Sequence, residues 1–239
     1  MEEMTSKILF QERMQDINEY FSFIQLLINK KPSLVYKDNT SDAPIQQPID
    51  IDMTHILKAN AFIILYNLIE ATISNAIEDI HNVLMSNESL CADTVNENLT
   101  RVAFHSLQSP NGKIDFSQGN IAKVIFKEWL NAHKKLIQSN KNPLFSGNVD
   151  ARKIREVAEK YGFSADTDSE ITRNGCNLLP IKKARNDLAH GSESFRNKGR
   201  DTSIDTLTEM KDEVFHYLNC ILENIQTYLD TQAYLRAAG

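Results

Sequence analysis

Arg185, Asn186 and His190 stand within one short stretch, Arg185-Asn186-Asp187-Leu188-Ala189-His190, and their types suit metal-free chemistry at a phosphate. Histidine can give or take a proton near neutrality, because its unperturbed pKa lies there. Arginine presents a permanently charged planar fork that stabilises the extra negative charge developing when phosphorus is attacked. Asparagine can offer its amide to a phosphate oxygen or to the imidazole. The spacing poses a difficulty. Residues five apart lie about 140° apart around an ideal helix, so Arg185 and His190 do not share a face cleanly, whereas Asn186 and His190 do. A helix end at Gly191, or contributions from two chains, would reconcile them.

The charge around this stretch favours an anionic substrate. Between Lys182 and Arg200 there are six basic residues (Lys182, Lys183, Arg185, Arg196, Lys198, Arg200) and two acidic ones (Asp187, Glu193), a local balance of +4 on a chain of net charge −6. A basic patch of this kind suits a phosphate backbone. Lys182, Lys183, Arg196, Lys198 and Arg200 are therefore the candidate phosphate-backbone contacts, although a solvated surface is the plainer reading of the Arg196–Arg200 segment. His190 has a plainer reading too, as a helix-end histidine favoured by the helix dipole. Glu70 stands among Leu68, Ile69 and Ile73, where a carboxylate needs a partner or a task. Anchoring Arg185 is its simplest use, and supporting the site directly is the alternative.

Helices must position these residues. Ile8, Met14, Ile17, Phe21, Ile24 and Ile28 recur at helical spacing, predicting a first helix over 6–29 that ends at Lys30-Lys31-Pro32. The connector containing Pro44 and Pro48 reads as a loop or meander. A long helix is expected over 53–85, apolar on nearly every face through AFIILYNLIEATISNAI and hence central to a bundle. Further helices are predicted over 93–107, 121–137 and 149–161, the last closed by Gly162, with a turn at Ser109-Pro110-Asn111-Gly112. Residues 166–177 and 192–202 read as polar loops. Pro180 is placed at the start of the helix that carries Arg185 and His190, and Gly191 at its stop. A final helix over 204–235 carries the stripe Leu207, Met210, Val214, Leu218, Ile221, Ile225 and Leu229. Strand alternation and internal repeats are not evident, so the expected fold is one all-α domain over residues 1–239.

The stretch Arg185–His190 resembles the R-x4–6-H signature of the HEPN superfamily (higher eukaryotes and prokaryotes nucleotide-binding). The flanks are similar as well: Leu188-Ala189-His190-Gly191, then Ser194-Phe195 and Gly199-Arg200, then a long amphipathic helix. The earlier Leu65-Tyr66-Asn67-Leu68-Ile69-Glu70-Ala71 looks like the early core helix of HEPN subfamilies from bacterial defence neighbourhoods, which often carries a Glu. The resemblance implies a HEPN-type helical bundle with additional helices. It also implies a metal-independent endoribonuclease in which the ribose 2′-hydroxyl attacks the adjacent phosphate, in defence or as a toxin. Arg185, Asn186 and His190 would be catalytic and Glu70 supporting. Because one His supplies only half of an acid–base pair, the resemblance further implies a homodimer with two motifs facing one cleft, and a possible regulatory or antitoxin partner. The alternative is a non-catalytic HEPN module used for RNA binding or protein interaction. One departure is visible. HEPN toxins paired with a nucleotidyltransferase antitoxin carry, after the His, one residue and then a Tyr that becomes modified; here Gly191-Ser192 follow.

Composition sets the remaining bounds. Of 239 residues, 41% are hydrophobic, enough for a substantial core, while only 8 Gly and 6 Pro favour long helices over glycine-rich phosphate loops. The net negative charge argues against a protein that coats nucleic acid, though not against an enzyme with a basic cleft. Cys91, Cys176 and Cys220 are too sparse for a zinc pattern and suit a reducing compartment. The other histidines lack H-x-H or H-x-x-x-H spacing, so neither metal nor cofactor is expected. The acidic start MEEMTSKILF lacks the pattern of a secretory leader, and the longest apolar stretch, 61–69, is too short to span a bilayer, so a cytoplasmic protein with no membrane association is expected.

Overall fold

The computed structural model describes residues 3–37, 43–106, 121–139, 145 and 147–236. The turn predicted at 109–112 lies outside the described residues. Within them the chain is all-α apart from one small hairpin. Helix α1 (Thr5–Lys30) buries Phe10, Ile17, Phe21, Ile24 and Leu27 along one stripe. It stops where Lys31 adopts φ 44, its N–H bonding to the Leu27 carbonyl, with Pro32 next in the chain. Helix α2 (Ile51–Ser86) begins at Asp50, whose carboxylate accepts the Asp52 N–H at 3.0 Å. It is the axis of the bundle: Leu65, Tyr66, Leu68, Ile69, Ile73, Ile77 and Ile80 are fully or nearly fully buried, and α1, α4 (Ile121–Gln138), α7 (Leu178–His190), α8 (Phe195–Arg200) and α9 (Ile204–Asp230) all pack on it. By length and composition α2 could cross a membrane, yet more than half of its most apolar window is buried inside the bundle. The α9 stripe Leu207, Val214, Leu218, Ile221, Ile225 and Leu229 is buried, and α2 and α9 meet in the core as their apolar faces require.

Helices α3 (Glu97–Ser106) and α5 (Ala151–Tyr161) pack beside α4 to complete the middle of the chain. Gly162 closes α5 with φ 85.

Four readings of the sequence need correction. The connector after α1 is a hairpin, β1 (Ser33–Lys37) antiparallel to β2 (Pro44–Pro48), with Leu34 opposite Gln47 and Tyr36 opposite Ile45. Proline is tolerated there because both prolines sit at the ends of a strand on a sheet edge. The segment before α7 is not a plain loop but one turn of helix, α6 (Ser169–Thr172), followed by a 3-10 turn over Arg173–Gly175. The Asp168 carboxylate starts α6 by accepting the Glu170 and Ile171 N–H groups. The segment after His190 is likewise not a free loop. It folds into α8 because Phe195 packs onto the core and Gly199 lies flat against α2: a Cβ at Gly199 would fall 1.7 Å from the His55 carbonyl oxygen. Finally, α7 starts at Leu178, so Pro180 sits inside its first turn, where a backbone N–H is not needed, rather than opening it.

Candidate functional site

The site helix α7 is fixed at both ends. At its start the buried Glu213 of α9 accepts the Asn177 N–H at 3.1 Å and its amide Nδ2 at 2.8 Å. At its end the Gly191 N–H bonds to the Leu188 carbonyl at 3.3 Å and the Ser192 N–H to the Asp187 carbonyl at 2.9 Å. This C-terminal wrap needs a left-handed residue, and Gly191 supplies it with φ 73. Between these anchors Leu178, Ile181, Ala184 and Leu188 bury the inner face of α7.

Arg185 lies on the flank of that face and is gathered into a cluster. Its guanidinium stacks on the Tyr66 ring, 4.1 Å from the centroid. Nη2 lies 3.6 Å from the Glu70 carboxylate, and Nη1 donates to Asn186 Oδ1 at 2.8 Å. Tyr66 and Glu70 are one helical turn apart on α2, so they present one surface to α7. The segment before α5 closes over this group. The Gly147 N–H donates to Glu70 Oε1 at 3.1 Å, and the Val149 N–H to the Tyr66 hydroxyl at 3.1 Å. A Cβ at Gly147 would stand 3.4 Å from both guanidinium nitrogens, so the backbone there lies directly against Arg185. Burial raises the Tyr66 phenol above its ordinary value, which keeps the ring neutral beneath the cation. A guanidinium over a neutral aromatic face, with a carboxylate at its side, is held in one orientation.

The remaining predicted residues divide. Lys182 reaches the Asp150 carboxylate, which also starts α5 by accepting the Lys153 N–H at 3.0 Å. Burial would raise the Asp150 carboxyl, but the Lys182 ammonium and the Lys153 N–H outweigh it and hold Asp150 below the usual carboxylate range. His190 is the last residue of α7; it is exposed, and its ring makes no hydrogen bond or ion pair with any described residue. Helix α7 is regular through both positions, so Arg185 faces α2 while His190 and Asn186 turn away from the core. Within one chain, then, Arg185, Asn186 and Glu70 come together and His190 stands apart.

The basic patch is largely matched by acids from outside the stretch. Arg196 pairs with Asp52 at 3.1 Å, Lys198 with Glu193 at 3.3 Å and Arg200 with Asp201 at 3.0 Å. Lys183 is exposed and has no such partner among the described residues. A local charge count misses Asp52, Glu70 and Asp150 because the fold, not the sequence, brings them in. Sequence reasoning also passed over Tyr66 and Gly147. Tyr66 carried a usable signal, its i to i+4 spacing to Glu70; Gly147 carried none.

A family model described as MAE_28990-like HEPN matches residues 4–234, nearly the whole chain. The chain therefore belongs to the HEPN superfamily. A search of curated proteins and a search of solved structures found no match.

The Glu70 contacts make a stability prediction. Glu70→Ala removes the partner of a guanidinium that is 23% exposed and the acceptor of the Gly147 N–H. Partial exposure softens the loss, so the expected cost is about 2–3 kcal/mol, read from chemical denaturation. Normal stability together with complete loss of activity would instead make Glu70 part of the chemistry.

Proposed function

We propose that this chain is a metal-independent endoribonuclease acting in defence or as a toxin. The observation that carries the reading is the oriented guanidinium of Arg185, gripped by Tyr66, Glu70 and Asn186, on the same helix whose exposed end carries His190. Arg185 would hold the scissile phosphate and stabilise the dianionic charge of the transition state. His190 would remove the 2′-hydroxyl proton or protonate the 5′-oxygen leaving group. DNA lacks the nucleophile and would be inert. One chain offers a single exposed imidazole in this stretch, so the second proton transfer is assigned to His190 of a second chain, in a homodimer whose α7 ends face one groove. Asn186, turned toward the same side as His190, would touch substrate there, and Lys183, exposed and without an acidic partner among the described residues, would follow the backbone. A regulatory partner would act by opening or blocking that groove.

A second reading is favoured by the ion pairing. Arg185, Lys182, Arg196, Lys198 and Arg200 all have acidic partners within the chain. A non-catalytic HEPN module that docks RNA or protein would look the same in these contacts. Purified protein incubated with total RNA in EDTA separates the two. The nuclease reading expects fragments from the wild type and none from His190→Ala. Intact RNA across diverse substrates, with a well-folded protein, favours the binding module and overturns the nuclease reading.

A further inference from the structure

The hairpin between α1 and α2 is unfinished as a sheet. Its only pairing among the described residues is β1 with β2, and a free two-stranded hairpin is marginal in water. Leu34, Tyr36 and Ile45 lie on one face of it, since Tyr36 pairs with Ile45 and Leu34 is two residues from Tyr36. All three are exposed, as is Val35 on the opposite face, which is 66% exposed. The flanking helix ends are apolar and exposed too: Phe23 and Leu26 on α1, Ile51 and Met53 on α2.

The two edges differ. Strand β2 begins and ends in proline, Pro44 and Pro48, which lack the N–H that a pairing strand would use. Strand β1, Ser33-Leu34-Val35-Tyr36-Lys37, has no proline, and its outer edge pairs with no described strand. Its sequence also pairs with itself. An antiparallel two-fold centred on Val35 sets Val35 against Val35 of the partner subunit, Leu34 against the partner's Tyr36 and Ser33 against the partner's Lys37. No like charges meet. Directly opposed residues share a face, so the Leu34–Tyr36–Ile45 surfaces of both copies would merge into one apolar face.

We propose that the outer edge of β1 is a self-association surface, on which a second copy of this chain adds its own β1 antiparallel to form a four-stranded sheet centred on Val35. The proposal does not rest on the nuclease reading. It is tested by sedimentation of the full chain at tens of micromolar and by cross-linking. Wild type sediments as a dimer if β1 is the one contact formed, and as a larger assembly if the α7 ends pair as well. Val35→Glu and Val35→Lys each place like charges in direct opposition and weaken the dimer by roughly tenfold or more. An equimolar mixture of the two restores it, which a folding defect could not do. Val35→Cys forms a disulfide-linked dimer beyond the parent's level; Leu34→Cys does so only when mixed with Tyr36→Cys. A wild type that is monomeric, a Val35→Glu chain that sediments as the wild type does, or Leu34→Cys linking to itself overturns the proposal. An unchanged Val35→Glu dimer leaves the shared-groove nuclease reading standing, while a β1-paired dimer that cleaves no RNA removes that reading and keeps this interface.

Discussion

His190→Ala should lower the rate of RNA cleavage by roughly 100- to 10,000-fold, the span for losing a general acid–base group, with no change in melting temperature. The second half follows from exposure: the side chain is exposed and makes no hydrogen bond with any described residue, and Gly191 rather than His190 shapes the helix end. Arg185→Ala should damage catalysis to a similar extent but behave differently in the melt, because it leaves Glu70 unpaired and uncovers the Tyr66 ring. Arg185→Lys should recover little activity. A lysine supplies a point charge but cannot stack flat on Tyr66 while also bonding Asn186 and facing Glu70. Single-turnover rates on a defined RNA, beside thermal melts, read both halves. A His190→Ala enzyme at wild-type rate removes the histidine from the mechanism.

Mild acid should destabilise the fold through a pair of histidines remote from the motif. His81 on α2 and His133 on α4 stack with ring centroids 3.6 Å apart, both nearly buried, with Trp129 against His81. His81 Nε2 meets the Tyr161 hydroxyl at 2.8 Å, whereas His81 Nδ1 and His133 Nε2 have no partner among the described residues. An imidazolium at either position would carry an N–H with no acceptor among the described residues and set its charge against the stacked neighbour. Burial, reinforced by the charge of His133, pushes His81 well below its ordinary value, and burial lowers His133 to about 4. The sign is then fixed. Below the unfolded value of 6.5 the unfolded chain takes up protons that the folded chain refuses, so stability falls with pH from there down through the folded values. His133 contributes a loss of about 2 kcal/mol by pH 5, and His81 adds to it in the same direction, so the melting temperature should drop by at least roughly 4 °C between pH 7 and pH 5. Replacing His133 with Phe keeps a stacking ring and should remove a large part of that drop. A melting temperature flat over this range would mean that both rings accept protons in place.

The sequence made the helical frame plain because α2 and α9 are long, strongly patterned and core-facing, so local signal and tertiary packing agree. It hid the hairpin and α8 because neither is stable alone. Strands β1 and β2 are only five residues each, too short to show an alternating pattern, and α8 is helical because Gly199 fits against the His55 carbonyl, a contact made across the fold. The Arg185–His190 stretch was legible from its types and spacing, and so was the partnership of Glu70 with Arg185, since a carboxylate in an apolar run needs a cation. The segment that covers Arg185 was not legible: Gly147 and Val149 act through their backbone N–H groups, which every sequence has. The stack of His81 on His133 was hidden for a related reason, the two residues being brought together only when α4 docks on α2.

The ends left on a cleaved RNA test the central claim most directly. Incubating the protein with a defined RNA in EDTA and analysing the fragments by mass spectrometry should show a 2′,3′-cyclic phosphate on one product and a 5′-hydroxyl on the other, because the neighbouring 2′-oxygen displaces the 5′-oxygen with no metal-bound water involved. A substrate carrying a 2′-O-methyl group at the cleaved position should remain whole. Cleavage that stops in EDTA and leaves a 3′-hydroxyl would contradict the mechanism and with it the roles assigned to Arg185 and His190.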